Sequence, residues 1–235
     1  MSTLRKKKAL VTGGTKGIGK SIVKELKKKY IVYYTGRENR KIKNYFQLNL
    51  SDQSSVNSFI KETSKLNFEI LVNNAGINNI KYFNLYKPLE IQEMLNVNLI
   101  NLTLITKALL KNMIKKKWGR IINISSIWGV NPCKKRTVYS MTKSALISFS
   151  KSLAIEYGRY NISTNSISPG FIMTDLTKKS LSTSQLKSLK KKVPLLRFGS
   201  PEEIADIVMF LCSEKNYING TNIVADGGFL SGYEI

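Results

Sequence analysis

A tyrosine and a lysine four residues apart, Tyr139 and Lys143, form a pattern that could do chemistry. On a helix, residues i and i+4 share a face, so the phenol and the ammonium can point into one cleft. A cation near a phenol favours the phenolate, which would let Tyr139 exchange a proton near neutral pH. The spacing alone is common by chance, but Ser126 lies thirteen residues before Tyr139, at the end of the predicted strand 121–124. These three side chains predict a proton-transfer site.

A glycine-rich turn near the start of the chain predicts a site for phosphate groups. Three glycines follow the apolar run at 9–12 and precede a helical pattern: Gly13, Gly17 and Gly19. The first permits a tight turn, and the later ones let the backbone approach a pyrophosphate. The N-terminus of the following helix would present free N–H groups to the phosphates. Residues 14–21 also match the G-x-x-x-x-G-K-S pattern of P-loop proteins, which we rank second because the rest of the chain fits it less well.

The end of the second apolar run, 31–34, bears on the type of nucleotide. Dinucleotide-binding proteins that use NAD usually carry an acidic residue there, which holds the ribose 2′-hydroxyl. This sequence continues Thr35-Gly36-Arg37 instead, and Lys16 lies in the glycine-rich turn. Arginine and lysine suit a 2′-phosphate, which arginine can bind in a fork. We therefore predict NADPH/NADP+ as the cofactor.

Seven short apolar runs alternate with helix-like stretches along the whole chain. The runs are mostly β-branched or aromatic and lack a clean two-residue alternation, as expected of strands buried on both faces. The alternation predicts an α/β fold: a single doubly wound Rossmann domain, residues 1–235, with a parallel sheet of about seven strands and helices on both faces. The predicted strands are 9–12, 31–34, 45–48, 70–72, 121–124, 163–167 and 222–224.

One predicted connection is unusually short. About nine residues, 36–44, join the second strand to the third, whereas a parallel crossover usually takes about a dozen or more. Either the connecting helix is a single turn, or the strand boundaries are wrong by a few residues.

The composition excludes several classes of site. The chain of 235 residues has no histidine and two cysteines, Cys133 and Cys212, without metal-binding spacing. Zinc sites built on Cys and His, histidine-based triads and a disulfide framework are therefore not expected, and we predict no metal. No apolar run approaches the ~18 residues of a membrane span, and the N-terminus has no signal-peptide pattern. We expect a cytoplasmic protein.

The charge of the chain is extreme. Thirty-eight Lys and Arg residues face fifteen Asp and Glu, giving a net charge of +23. One interpretation is a polyanionic partner, such as a nucleic acid, an anionic membrane or an acidic carrier protein. The other is a coding bias towards lysine with solvated side chains, which the even scatter of lysines favours.

Taken together, these motifs resemble the short-chain dehydrogenase/reductase family over about residues 6–232. Within the family, LVNNAG, FSKSLA, SPGFIMTD and ADGG are most similar to the 3-oxoacyl-[acyl-carrier-protein] reductase branch. The resemblance implies an NADP-dependent oxidoreductase that reduces a carbonyl to an alcohol, on a 3-oxoacyl thioester linked to acyl-carrier protein or CoA in fatty-acid synthesis. The motifs that carry it are TGGTKGIG, NNAG, the pair Asn98-Leu99, Ser126, YxxxK and PGFIMT at 169–174.

The resemblance also implies roles for individual residues. Tyr139 would protonate the carbonyl oxygen, Ser126 would hydrogen-bond it, and Lys143 would hold the nicotinamide ribose and favour the tyrosinate. Asn98 would position a water that links Lys143 to a proton relay, whereas Asn73 more plausibly fixes the sheet. The implied cofactor-binding residues are Gly13, Thr15, Lys16, Gly17, Ile18, Gly19, Arg37, Asn49, Leu50, Asn74, Ala75, Gly76, Tyr139, Lys143, Pro169, Gly170, Ile172 and Thr174.

Two basic segments bear on the substrate. The loop 131–136 contains Lys134, Lys135 and Arg136, and the resemblance makes 176–198, also rich in lysine, a substrate lid. Both suggest a small-molecule or carrier-bound keto substrate that is anionic. The alternatives are a reductase or dehydrogenase of an anionic keto sugar or other small ketone, and, from another class, a non-catalytic nucleotide-sensing or nucleic-acid-binding protein. The intact candidate residues speak against the latter, so we expect neither a nucleic-acid nor a membrane partner, and a homodimer or homotetramer by family habit.

Overall fold

A computed structural model describes residues 5–174, 177 and 182–232. Seven parallel strands form one sheet in the order β3-β2-β1-β4-β5-β6-β7, which confirms the predicted fold class. The predicted strand boundaries are correct to within two residues at each end. The strands are β1 (Lys8–Val11), β2 (Ile31–Gly36), β3 (Tyr45–Gln47), β4 (Ile70–Asn73), β5 (Gly119–Ile124), β6 (Ile162–Pro169) and β7 (Asn222–Ala225).

Helices cover both faces of this sheet. Neighbouring residues of β1 point to opposite faces: Ala9 and Val11 pack with α1 and α8, and Leu10 packs with α2, α4 and α6. Among the described residues, no helix is both long and apolar enough to span a membrane. The helices are α1 (Gly17–Leu26), α2 (Gln53–Thr63), α3 (Pro88–Leu95), α4 (Asn101–Lys116), α5 (Ile127–Val130), α6 (Thr137–Tyr157), α7 (Thr183–Lys191) and α8 (Pro201–Leu211).

The short connection between β2 and β3 contains no helix at all. Residues 37–44 form an irregular segment, and β3 pairs with β2 in parallel register, Tyr34 opposite Tyr45. Neither explanation offered by the sequence is right, because the strand boundaries are nearly correct and not even a single helical turn is present. Side chains of β3 hold the backbone of this segment in place. Tyr45 Oη donates to the carbonyl of Glu38, and Gln47 Nε2 donates to that of Arg37 at 3.0 Å.

The strand order determines where a ligand can bind. The order reverses between β1 and β4, so the loops after these two strands diverge and leave a crevice at the carboxyl edge of the sheet. Asn73, at the end of β4, helps to fix this edge. Its Nδ2 donates to Asn123 Oδ1 on β5 at 2.8 Å and to Thr106 Oγ1 on α4 at 3.0 Å. Asn73 therefore has the sheet-fixing role expected for it.

Candidate active site

A cleft of about 1680 Å³ runs along the carboxyl edge of the sheet. It is lined by every side chain and glycine predicted for the site, with the single exception of Asn98. Residues separated by more than a hundred positions in the sequence thus come together, because parallel strands bring all their carboxyl ends to one edge.

The glycine-rich turn closes tightly against itself at one end of the cleft. Gly13 has φ +66°, and Gly17 has φ +52°, both in the left-handed region that favours glycine. A Cβ at Gly19 would lie 2.2 Å from the Gly13 carbonyl oxygen, so no larger residue fits there. Helix α1 begins directly after this turn with no acidic residue in its first turn. Its first N–H groups and its positive dipole end therefore favour an anion, which fits the pyrophosphate of a dinucleotide.

The two predicted phosphate-binding cations lie at the same end of the cleft. Lys16 precedes α1 in extended conformation, and its side chain caps nothing. Arg37 follows β2 and is exposed. Both line the cleft, whereas the adjacent carboxylate of Glu38 does not and is paired with Arg40 instead. The edge near β2 therefore presents positive charge to the cleft.

The residues predicted to flank the adenosine come from the ends of β3 and β4. Asn49 is exposed and Leu50 is buried, and both line the cleft. Asn74 braces the glycine-rich turn, because its Nδ2 donates to the carbonyls of Thr12 at 3.0 Å and Gly13 at 3.1 Å. Asn74 thus shapes the phosphate turn as well as lining the cleft, and its neighbours Ala75 and Gly76 continue the wall.

Ser126 and Tyr139 lie on adjoining elements, and both line the cleft. Ser126 follows β5 and caps α5, accepting a hydrogen bond from the Trp128 N–H at 3.2 Å, and Tyr139 is in the first turn of α6. The neighbouring Ser125 faces away, with its Oγ donating to the Lys143 carbonyl at 2.8 Å. The geometry therefore leaves Ser126 rather than Ser125 beside the phenol, as the spacing predicts.

The acidity of the phenol differs from the expectation. Burial raises the pKa of Tyr139, against the opposing influences of the Ser126 hydroxyl and the Arg136 guanidinium. A net lowering of the pKa, expected from the nearby Lys143, is therefore wrong for this structure: burial outweighs the influences that lower it, and the ammonium, 5.7 Å from the ring centroid, donates to the Ile124 carbonyl at 2.8 Å. The phenol is thus held protonated, the state needed to give a proton.

Lys143 is only 3% exposed. Burial lowers its pKa from 10.5 to about 8. Within the described residues, the hydrogen bond to Ile124 is the only one it donates, so two of its three N–H donors have no partner there. A buried ammonium with spare donors at a cleft wall is suited to hold the hydroxyl groups of a ligand.

Asn98 lies behind the wall of the cleft, on a π-helical turn between α3 and α4. It is fully buried, and its Oδ1 accepts from the Ile77 N–H at 2.8 Å. Its Nδ2 donates to the Ile77 carbonyl at 2.9 Å and to Thr142 Oγ1 at 3.2 Å. The side chain therefore fixes the loop after β4 against α6, and the predicted direct role in holding a water remains a prediction.

The fourth group of predicted residues follows β6. Pro169 ends the strand, and Gly170 packs so closely on Asp226 that a Cβ there would lie 2.7 Å from it. Ile172 is buried and bridges to Gly199, while the Ile172 carbonyl accepts from the Thr174 N–H at 3.0 Å. This compact turn lines the cleft next to the glycine-rich turn, because a Cβ at Gly17 would lie 3.5 Å from the Thr174 side chain.

An aromatic wall next to Ser126 was not predicted. The rings of Trp128, Phe171 and Phe229 meet edge to face, with centroids 5.1 to 6.0 Å apart, and all three line the cleft. A single tryptophan carries no spacing signal, so the sequence did not indicate Trp128 as a residue of the site. Its position two residues after Ser126 is the one local hint. The wall gives the substrate end of the cleft an apolar surface.

The predicted lid, 176–198, is described only in part, because residues 175–176 and 178–181 lie outside the described ranges. Its described portion contains α7, which begins with a capping box formed by Ser182 and Gln185. Leu189, Lys191 and Lys192 line the cleft.

Within the described ranges, no group of three or more acidic or cysteine side chains is placed to hold a metal ion.

Known proteins are similar to this chain over nearly its whole length. The family model described as enoyl-(acyl carrier protein) reductase matches residues 13–230. The 3-oxoacyl-[acyl-carrier-protein] reductase FabG of Aquifex aeolicus is 42% identical over 96% of this chain and 98% of its own length. The solved structure titled ElxO with NADP bound has a TM-score of 0.89 and 33% identity, covering 97% of this chain and all of that one. A 4-hydroxyisoleucine dehydrogenase complexed with NADH has a TM-score of 0.91 and 29% identity, covering the same shares.

The chain belongs to the short-chain dehydrogenase/reductase family. The expected enzyme class, an oxidoreductase, is thereby confirmed. The expected similarity to 3-oxoacyl-[acyl-carrier-protein] reductases is confirmed as well.

Proposed function

We propose that this enzyme uses NADPH to reduce the ketone of a 3-oxoacyl thioester to an alcohol. The observation that carries the proposal is the placement of Ser126 and the protonated Tyr139 in one cleft with Lys143 and a dinucleotide cradle. The similarity to 3-oxoacyl-[acyl-carrier-protein] reductase over nearly the full chain supports the substrate class.

The residues present fit a dinucleotide with a ribose 2′-phosphate. The N-terminus of α1 would hold the pyrophosphate, while Lys16 and Arg37 would pair with the 2′-phosphate. Asn49 and Leu50 would flank the adenine, and the turn around Ile172 would hold the carboxamide. The cofactor supplies the hydride when bound.

The protein's own part in the reaction is to hold and protonate the ketone oxygen. Ser126 donates a hydrogen bond to this oxygen and orients it towards the Tyr139 hydroxyl. Tyr139 gives up its proton as negative charge develops on the oxygen. Lys143 holds the ribose hydroxyls with its spare donors, and its charge stabilises the tyrosinate that remains after proton transfer.

The proposal is tested by the oxidation of NADPH with matched thioesters. We expect turnover of a 3-oxoacyl thioester and none of the corresponding 2-enoyl thioester, the substrate named in the description of the matching family model. A keto sugar serves as the third substrate. The proposed substrate class would be refuted if the enzyme reduced the enoyl thioester or the keto sugar and did not reduce the 3-oxoacyl thioester.

The cofactor is tested separately by comparing NADPH with NADH. We expect a higher kcat/KM with NADPH, and Arg37→Ala should weaken NADPH binding roughly tenfold to a hundredfold, the usual size for a charge-assisted hydrogen bond. NADH binding should scarcely change. Equal kcat/KM for both cofactors in the unaltered enzyme would contradict the proposal.

Arg136 supports an anionic substrate. It lines the cleft three residues before Tyr139, and its guanidinium lies 5.8 Å from the Trp128 ring. Among the described residues, the Arg136 guanidinium has no ion-pair or hydrogen-bond partner, and only the backbone of this residue is hydrogen-bonded. Lys134 and Lys135, by contrast, lie over the Tyr82 ring and do not line the cleft. Arg136 is therefore the cation of this loop that can meet an anionic substrate.

Salt dependence tests this part of the proposal. We expect kcat/KM to fall steeply with ionic strength for a thioester on an acidic carrier, and little for a neutral ketone. Arg136→Ala should flatten the dependence, whereas the matched control Lys134→Ala/Lys135→Ala should preserve it. If kcat/KM responds to ionic strength equally for the two substrates, the anionic-substrate proposal is contradicted. The net charge of +23 would then reflect solvated surface lysines.

A homo-oligomer is the proposed state of the protein. Helix α6 exposes Ile155 at 84% and Met141 at 49% on one side, which suits pairing with the same helix of a second copy. Ile155→Glu should reduce the mass measured by light scattering to that of one chain. The proposed location of the protein is the cytoplasm. Cys133 and Cys212 are both free thiols, as is usual in that reducing compartment.

A further inference from the structure

An acidic residue, Glu38, directly follows Arg37 at the open end of β2. A carboxylate in this region is what NAD-type sites use to hold the ribose 2′-hydroxyl, and it would repel a 2′-phosphate. Two adjacent residues of this chain therefore favour opposite cofactors.

Arg40 resolves this conflict in the structure. Its Nε donates to Glu38 Oε2 at 2.9 Å, and its terminal nitrogen donates to the same oxygen. Arg37 lines the cleft, but Glu38 does not. Arg40 lowers the pKa of Glu38, and the charges of Lys16 and Arg37 add to the effect. The carboxylate is therefore ionised, within electrostatic reach of the phosphate-binding cations, and held by a third cation.

The backbone around this pair is braced independently of Arg40. Tyr45 Oη donates to the Glu38 carbonyl, and Gln47 Nε2 donates to the Arg37 carbonyl at 3.0 Å. The segment 37–44 has no helix that could direct the Glu38 side chain. Among the described residues, Arg40 is the hydrogen-bond donor to this carboxylate, while side chains of β3 hold the peptide that carries it.

We propose that Arg40 is a positioning residue for cofactor choice: by pairing with Glu38, it keeps that carboxylate from the ribose and leaves Arg37 free for a 2′-phosphate. The inference rests on the proposed use of NADPH. It assigns Arg40 no direct contact with the cofactor.

Two small ligands isolate this end of the site: 2′,5′-ADP, which carries the 2′-phosphate, and 5′-AMP, which lacks it. Their binding is measured by calorimetry to the unaltered protein, Arg40→Ala, Glu38→Gln and the double variant. Arg40→Ala should weaken 2′,5′-ADP roughly fivefold, the upper range for an exposed charge pair, and change 5′-AMP less than about twofold. In the Glu38→Gln background, the same substitution should change 2′,5′-ADP binding less than about twofold, because no carboxylate is left to release.

Two further variants serve as controls. Lys7→Ala removes one cation from the Lys7–Glu214 pair at the opposite edge of the sheet, so it alters the net charge equally and should leave 2′,5′-ADP binding unchanged. Arg40→Lys keeps the charge and should retain most of the affinity.

The outcomes separate this inference from the proposed function. Unaltered protein that binds 5′-AMP as tightly as 2′,5′-ADP would overturn both. A clear preference for 2′,5′-ADP together with an equal loss on Arg40→Ala in both backgrounds would overturn only the role through Glu38, because Arg40 would then act on the phosphate itself. An Arg40→Ala protein with unchanged affinity for 2′,5′-ADP would overturn it as well.

Discussion

A buried cation lies at each of the two edges of the sheet, and the two cations differ in their hydrogen-bond partners. Lys143 lies at the carboxyl edge and is 3% exposed, and Arg120 lies at the amino edge, at the start of β5, and is 2% exposed. Burial lowers the pKa of both. Equal burial therefore does not distinguish them, whereas their partners do.

Arg120 is surrounded by acceptors. Its NH1 donates to the carbonyls of Gly119 at 2.8 Å and Asn161 at 3.1 Å, its Nε donates to Ser213 at 3.2 Å, and the guanidinium lies 4.4 Å from the Trp118 ring. Lys143 has a single hydrogen bond among the described residues. A buried charge whose donors are satisfied ties chain segments together, and one with spare donors is available to a ligand. The amino edge is thus built for stability and the carboxyl edge for chemistry.

The comparison is tested most strongly by Tyr139→Phe. Loss of the phenol should lower kcat about 10²–10⁴-fold, the usual contribution of a general acid. NADPH binding and the free energy of unfolding should stay close to those of the unaltered protein, because the hydroxyl acts on the substrate. A variant that retains more than about a tenth of the rate would refute the assignment.

Arg120→Met should produce the reverse result. It removes a donor from three carbonyl groups, one buried and two partly buried, so we expect the free energy of unfolding to fall by about 2–4 kcal/mol. The kcat of the folded enzyme should not change. Urea denaturation followed by tryptophan fluorescence measures the first quantity, and a loss of kcat at a temperature where the variant is folded would contradict the division between the edges.

Lys143→Met should abolish activity and yet stabilise the protein at neutral pH. The folded pKa of about 8 lies below the ordinary lysine value of 10.5, so folding disfavours the ammonium. This destabilisation is fully present below pH 8 and disappears as the pH rises towards 10.5. After the lost hydrogen bond to Ile124 is counted, we expect a gain of about 2 kcal/mol at pH 7. Thermal melts at pH 7 and pH 10 measure it, and a gain that is equal at both values would show that the charge is not its source.

The pH dependence of the unaltered enzyme tests the charge on Lys143 without a substitution. The ammonium of Lys143 is lost as the pH rises through about 8, whereas the raised pKa of Tyr139 keeps the phenol protonated. We expect kcat/KM to be level below pH 8 and to fall about tenfold per unit above it. A profile that is level to pH 10 would mean that the charge on Lys143 is not needed.

The sequence predicted what depends on local spacing. The pair Tyr139 and Lys143 needs only the turn of one helix, and the glycine-rich turn needs only the strand before it and the helix after it. The strands were found because each is a short apolar run between polar residues. These features do not depend on the tertiary arrangement, so the amino-acid sequence is sufficient to predict them.

What could not be predicted depends on contacts between distant segments. The aromatic wall brings Trp128 together with Phe171 and Phe229, which follow different strands. No local sequence pattern predicts this contact. The hydrogen bonds of the Asn98 amide to the Ile77 backbone and to Thr142 likewise join segments that are distant in the sequence. The Tyr139 pKa follows from how deeply the packed structure buries the phenol, which spacing to Lys143 does not reveal.

The helix-free segment between β2 and β3 has a consequence for how cofactor preference can change during evolution. Residues 37–44 are mostly exposed and contribute no side chain to the buried core, so substitutions there open no cavity and strain no packed helix. A lineage could therefore exchange one nicotinamide cofactor for the other through a few surface mutations, each nearly neutral for stability. The reductase chemistry has no such freedom, because Lys143 and the helix that carries it are embedded in the interior.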